Sequence, residues 1–569
     1  MYDLLIRNGR VIDGSGAAAK VADVAVQGGT IAEVGQNLGS ARREIDAAGR
    51  LVLPGWVDIH THYDGQATWD AELAPSSWHG VTTAVFGNCG VGFAPVRRGS
   101  EPYLINLMEG VEDIPGTVLA QGIDFSWESF PEYLDTLERT PRTMDIGAQV
   151  PHAALRFYVM GDEGADHRKI PDAAQIEAMG RLLEEALAAG ALGFSTSRTT
   201  KHRAADGSPT PSLSAGEPEL HGLARAMRRA GSGVLQVNSD FGTGEFEVLR
   251  AAAEVAGRPL SVLLLQSDYA PDLWRETLEQ IHAARRDGIQ ANGQVGSRPI
   301  GLVMGLDTSM HPFASRAAWR EVADLPPAER VARLRADADL RERLVSEPPA
   351  NDDMITQMIE AALPKTYRLT EPVDYEQDPA NALVAQAQRR GCRPLELALE
   401  WMLDSDGKGM LLFPFENYSA GSLDVVREML LDDATVCGLA DGGAHVGLIC
   451  DASSTTTLLT HWGRDRKRGP GLPLEHLVKK QTRDTALAYG LADRGLIAPG
   501  LRADLNIVDF DRLRVRLPEV VHDLPAGGKR VLQRAEGYDH TFVAGVETFR
   551  DGAPTGERPG RLLRGSATG

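Results

Sequence analysis

Two histidines two residues apart, His60 and His62, close the apolar run that begins at Pro54-Gly55. Alternate residues of an extended strand share a face, so both imidazoles point the same way. Two imidazoles on one side suit a single zinc or another borderline divalent ion. A second candidate, Asp441, stands in Gly438-Leu439-Ala440-Asp441-Gly442-Gly443-Ala444-His445, where another apolar run ends. A carboxylate there suits two tasks. It can ligate the same ion from the opposite wall, or take a proton from water and hand it to a leaving amine. An Asp before two glycines is also ordinary turn chemistry. The third candidate is Cys89, in Phe86-Gly87-Asn88-Cys89-Gly90. A thiolate at that place suits zinc, and a lone buried thiol equally suits core packing.

Strand ends must carry these residues. Apolar runs without polar alternation recur at 51–60, 80–87, 143–150, 189–195, 232–238, 260–266, 288–295 and 434–440. Such runs suit strands buried on both faces, as in a parallel sheet. Helical patterns lie between them, such as Ile176 to Ala189 and Glu247 to Ala256. Eight strand–helix units predict an α/β fold, a (β/α)8 TIM-type barrel with its chemistry at the C-terminal rim. Short β-runs with glycine turns occupy both chain ends. They predict a small β-sandwich from residues 1–53 plus 491–569, around a barrel of 54–490. Stretches 95–140 and 297–410 exceed a minimal barrel and read as insertions at its mouth or at an oligomer contact. The tail after Gly560 reads as loose.

Composition narrows the function classes. The 569 residues carry 59 Lys and Arg against 79 Asp and Glu, a formal charge of −20. Such a chain repels a phosphate backbone, so no nucleic-acid partner is expected. No apolar run reaches the ~18–20 residues of a membrane span. The N-terminus lacks the basic and apolar regions of a secretory signal, and four cysteines without a CxxC fit a reducing cytoplasm. A small-molecule substrate is the expected partner. A homo-oligomer is compatible with the charged run Glu329 to Glu347. The basic run Arg464 to Arg468 reads as solvated surface.

Several motifs together resemble the metal-dependent amidohydrolase superfamily. They are Asn8-Gly9-Arg10-Val11-Ile12-Asp13-Gly14, the Pro54-to-His62 segment, Asp441, and a tail with Asp493-Arg494-Gly495, Pro499-Gly500 and Ala503-Asp504. Three others resemble the D-aminoacylase (N-acyl-D-amino-acid deacylase) family more closely. These are Gly80-Val81-Thr82-Thr83 with Gly87-Asn88-Cys89-Gly90, then Gly110-Val111-Glu112-Asp113-Ile114-Pro115, then Gly190 to Thr196. The resemblance runs over nearly the whole chain and is weakest at 300–410. It implies a barrel with a split β-sandwich and hydrolysis of an N-acyl amide at a zinc site.

The chain departs from that family at strands five and six. There the family places a His that holds zinc with the strand-two Cys. Here the ends read Leu235-Gln236-Val237-Asn238-Ser239-Asp240 and Leu264-Leu265-Gln266-Ser267-Asp268, without His. Amide oxygens are poor zinc ligands beside imidazole. The set that remains is His60, His62 and Asp441, with Cys89 nearby, for one zinc. No Lys ends strand four to bridge a second metal. His152, His202 and His445 follow strands three, four and eight as substrate contacts, structural groups or replacement ligands. Arg198 and Arg298 follow strands four and seven, where a guanidinium suits a substrate carboxylate. The expected activity is deacylation of an N-acyl-D-amino acid, with Asp441 as general base and acid. Two alternatives stay open. One is a cyclic amide or modified natural-product peptide, with a pocket floor rebuilt by Gln236, Asn238 and Gln266. The other is a non-catalytic binding protein on a decayed scaffold.

Overall fold

In the computed structural model, which describes residues 1–351 and 354–565, the middle of the chain is a parallel barrel. Its eight strands are Trp56–Asp58, Val81–Phe86, Asp145–Pro151, Gly193–Arg198, Val234–Ser239, Leu260–Leu263, Ala291–Val295 and Thr435–Cys437, paired in sequence order. Five lie inside one of the eight apolar runs of the sequence, and the third, fourth and fifth overlap theirs but extend past its end. The runs are apolar on both faces because the barrel buries one side in its lumen and the other under helices. The helix Ala173–Ala189 shows how a crossover is built. Asp172 caps it with Gln175 in a reciprocal box, it buries Met179, Leu183, Ala186 and Leu187, and it stops at Gly190 in the left-handed region.

The first run, 51–60, serves two sheets. Leu51–Pro54 pairs with Tyr2–Val11 and with Leu505–Val508, whereas Trp56–Asp58 pairs with the second barrel strand. Gly55 lies at the crossing, where a Cβ would stand 2.2 Å from the Thr82 hydroxyl. Through Leu51–Pro54 both chain ends join one nine-stranded sheet. Leu4, Ile6, Val24, Val26, Leu505, Ile507 and Phe542 belong to a core of its own.

The first insertion carries helices Glu101–Glu112, Gly116–Gly122 and Phe130–Arg139. It is pinned beside the histidine segment: the Tyr133 hydroxyl donates to the Asp64 carbonyl at 2.7 Å. In the second insertion Ile300–Met304, Tyr367–Arg368 and Leu411–Glu416 form a three-stranded sheet. The charged run Glu329 to Glu347 falls on helices Pro327–Ala336 and Ala338–Ser346. No helix among the described residues is long and apolar enough to cross a membrane.

Two expectations are corrected. The basic run is not all solvated: Arg466 is buried against Glu376 and stacks over Trp462. The carboxylate supplied by the second insertion makes that burial possible. The tail is not loose where it is described. Leu562 and Leu563 are buried, and the Leu563 amide donates to the Ile146 carbonyl at 2.7 Å. Residues 566–569 lie outside the described residues.

Candidate active site

The barrel closes where its last strand meets its first. Beyond the strand ends, the Asp441 amide donates to the His60 carbonyl at 3.1 Å and the His62 amide donates to the Gly442 carbonyl at 2.8 Å. Thr61 and Gly442 pair as a parallel bridge. The seam therefore sets Asp441 against both histidines by backbone bonds alone. Second-strand residues complete the cluster. Gly87, at φ +77°, turns so tightly that a Cβ would meet the Gln149 carbonyl at 2.2 Å. That turn brings Cys89 to the lumen, where its amide donates to the Gln236 side-chain oxygen at 2.9 Å.

His60, His62 and Cys89 offer ligand atoms that all lie within 4.8 Å of one another. His60 Nδ1 bonds Gln294 Oε1 at 2.7 Å. An amide oxygen only accepts, so Nδ1 carries the proton and Nε2 is left bare. That bare Nε2 lies 3.4 Å from Cys89 Sγ and 3.4 Å from Asp441 Oδ1. His62 Nε2 lies 3.8 Å from the same carboxylate oxygen. Cys89, Leu439, Asp441 and His445 all adopt left-handed backbone conformations. Such strain in non-glycine residues gathers where function holds it.

Burial dominates the electrostatics. It lowers His60 to about 4 and His62 well below its ordinary range, so both rings are neutral, the form that binds a metal. It pushes the Cys89 thiol and the Asp441 carboxyl well up. The nearby Glu112 and Asp441 charges raise Cys89 further. A cation among these groups would reverse the upward shifts. Three buried polar atoms here, His62 Nδ1 and both Glu112 oxygens, have no aligned hydrogen-bond partner. Bare imidazole nitrogen, thiol and carboxylate within one small volume fit a borderline divalent ion.

Glu112 and Gln294 belong to the candidate site by their contacts with His62 and His60, and the sequence reading missed both. Glu112 ends the first insertion helix and is almost wholly buried. Its Oε1 lies 3.2 Å from His62 Nδ1, and its Oε2 lies 3.5 Å from His445 Nε2. The signal was present, because Glu112 stands inside the Gly110–Pro115 motif that carries the resemblance. Gln294 is a polar residue in the middle of a buried run, which demands a partner.

The other expected residues divide. His202 is near the cluster: its Nε2 lies 3.2 Å from Asn238 Nδ2, which in turn lies 3.7 Å from Cys89 Sγ. His445 touches Glu112. His152, expected as a substrate contact, is fully buried with its two nitrogens on Thr196 and Glu219. Arg298, expected to meet a carboxylate of the substrate, is instead buried against Asp451 at 2.8 Å and stacked on Tyr375. Arg198 is held by Glu245. Gln236 and Asn238 do face the Cys89 turn, as the floor reading expects. Gln266 does not: its amide donates to Asn417 Oδ1 at 2.9 Å and its side-chain oxygen accepts from the Ser419 amide at 3.2 Å. The chain returning from the second insertion claims it, because Glu416 pairs with Ser267 just beyond the end of strand six.

Comparison with known proteins agrees with this architecture. The amidohydrolase family model matches residues 43–549. An N-acyl-D-aspartate deacylase of Alcaligenes xylosoxydans xylosoxydans is 35% identical, covering 99% of this chain and 95% of the relative. A D-aminoacylase from the same organism is 26% identical, covering 100% of this chain and 98% of the relative. A D-aminoacylase structure with a binuclear metal centre, described by one-metal activation and second-metal attenuation, superposes with a TM-score of 0.65. It is 25% identical and covers 99% of this chain and 100% of its own. With the family model spanning most of the chain and a relative above 30% identity matching nearly all of it, the protein belongs to the amidohydrolase family, hydrolases of C–N bonds.

Proposed function

We propose that the protein deacylates N-acyl-D-amino acids, using one divalent metal, zinc, held by His60 and His62 with Cys89 and Asp441 beside them. The observation that carries this reading is the convergence of neutral imidazoles, thiol and carboxylate at the barrel seam. The relatives' activities supply the substrate class. A divalent ion bound there supplies a Lewis acid that polarises the acyl carbonyl and acidifies water. The chain's own residues do the rest. Gln294 keeps the His60 proton on Nδ1, so its Nε2 stays available. Glu112, 3.2 Å from His62 Nδ1, favours the same tautomer of His62 by its charge rather than by an aligned hydrogen bond. Asp441 takes the proton of the attacking water and delivers it to the departing nitrogen. The closed seam keeps that carboxylate at a fixed distance from both rings, so little reorganisation accompanies the transfer.

The test is turnover of matched N-acetyl-D- and N-acetyl-L-amino acids, with and without a chelator. The expected result is chelator-sensitive release of the free D-amino acid, at kcat/KM of at least ~10⁴ M⁻¹s⁻¹ for the best substrate. Turnover of cyclic amides alone, with none of these open-chain substrates cleaved, would overturn the reading.

A further inference from the structure

A cavity of about 340 Å³ lies at the C-terminal ends of barrel strands four to six. It adjoins the cluster through Asn238, which lines it and whose amide nitrogen stands 3.7 Å from Cys89 Sγ. Phe241, Leu264, Leu265 and Trp274 form apolar wall. Tyr269 also lines it and is 94% exposed.

The charged lining is lopsided. Lys201 is the one cation among the lining residues, against the carboxylates of Asp240 and Glu416. Lys201 is already spent: its ammonium is ion-paired with Glu416, which is almost fully buried. The second Glu416 oxygen is buried without a hydrogen-bond partner. Asp240 is fixed by the Thr199 hydroxyl and by the Thr200 amide and hydroxyl. Arg198, the next cation along, is taken by Glu245. A carboxylate entering this space meets a lining that is net negative and whose one cation is already paired, and would leave water without compensation. An apolar arm meets the wall it needs.

We propose that this cavity receives the side chain of the substrate amino acid, that it takes a large apolar side chain, and that it refuses a carboxylate-bearing one. This rests on the deacylase reading above and sharpens it. Glu416 is the residue that enforces the refusal, by neutralising Lys201.

The test compares N-acetyl-D-leucine with N-acetyl-D-glutamate, side chains of similar reach that differ in charge. Both kcat/KM and calorimetric binding are measured on the wild-type holoenzyme and on Glu416→Gln. The expected wild-type preference for the leucine compound is about tenfold or more, the scale of burying a side chain of this size. In Glu416→Gln the freed Lys201 raises the glutamate-to-leucine ratio about tenfold. Equal or better wild-type use of the glutamate compound would overturn the assignment, and so would binding of neither compound. An unchanged ratio in a folded Glu416→Gln protein would overturn the role of Glu416. Preferential leucine binding without turnover would leave the cavity assignment standing and remove the deacylase reading instead. The wild-type comparison needs no variant to fold.

Discussion

Asp441→Asn is expected to lower kcat about a thousandfold while leaving the fold intact. Proton transfer by a positioned group is worth roughly 10²–10⁴ in rate. The asparagine keeps the size of the side chain but cannot take a proton. The position is held by the backbone, through the Asp441 amide and the His60 carbonyl, so the seam does not depend on the charge. Steady-state kinetics at saturating substrate, beside a thermal melt that shows a folded protein, check the prediction. A variant within tenfold of wild type would mean that another group carries the proton. His445, partly buried nearby and lowered to about 4 by desolvation, would then be the next to test.

Glu112→Gln is expected to weaken metal binding by about 10–100-fold, the usual cost of losing a carboxylate behind a metal-binding imidazole. Glu112 faces Nδ1 of His62 at 3.2 Å, so its charge favours the tautomer with a bare Nε2 and makes that nitrogen a better donor. Burial pushes its carboxyl well above the ordinary range, and a positive charge nearby is what would keep it ionised. Glutamine preserves the volume and removes the charge. Competition against a chelator of known affinity reads the effect directly, apart from turnover. Glu112→Asp should recover part of it. An unchanged metal Kd in Glu112→Gln would reduce Glu112 to packing.

Much of this was legible from residue types alone. The eight barrel strands were visible because a strand buried on both faces must be apolar throughout, and few other elements need such runs. The His60–His62 pair was visible because strand geometry turns a spacing of two into a shared face. What the sequence hid was contact between distant segments. Nothing local says that Glu112, at the end of an insertion helix, folds back onto His62. Nothing near Gln266 says that residues 417–419 will claim its hydrogen bonds. Arg298 looked like a partner for a substrate carboxylate, and Arg466 like a surface cation, because their own carboxylate partners, Asp451 and Glu376, are 153 and 90 residues away. The run 51–60 looked like one strand because composition does not mark where a chain leaves one sheet for another.

The central claim is a single metal held at the barrel seam by the histidine pair. Metal content of the freshly purified protein, measured beside His60→Ala, tests it most directly. The account predicts about one zinc per chain in the wild type and a loss of most of it in the variant. Two metals per chain, or one metal that persists in folded His60→Ala, would contradict it.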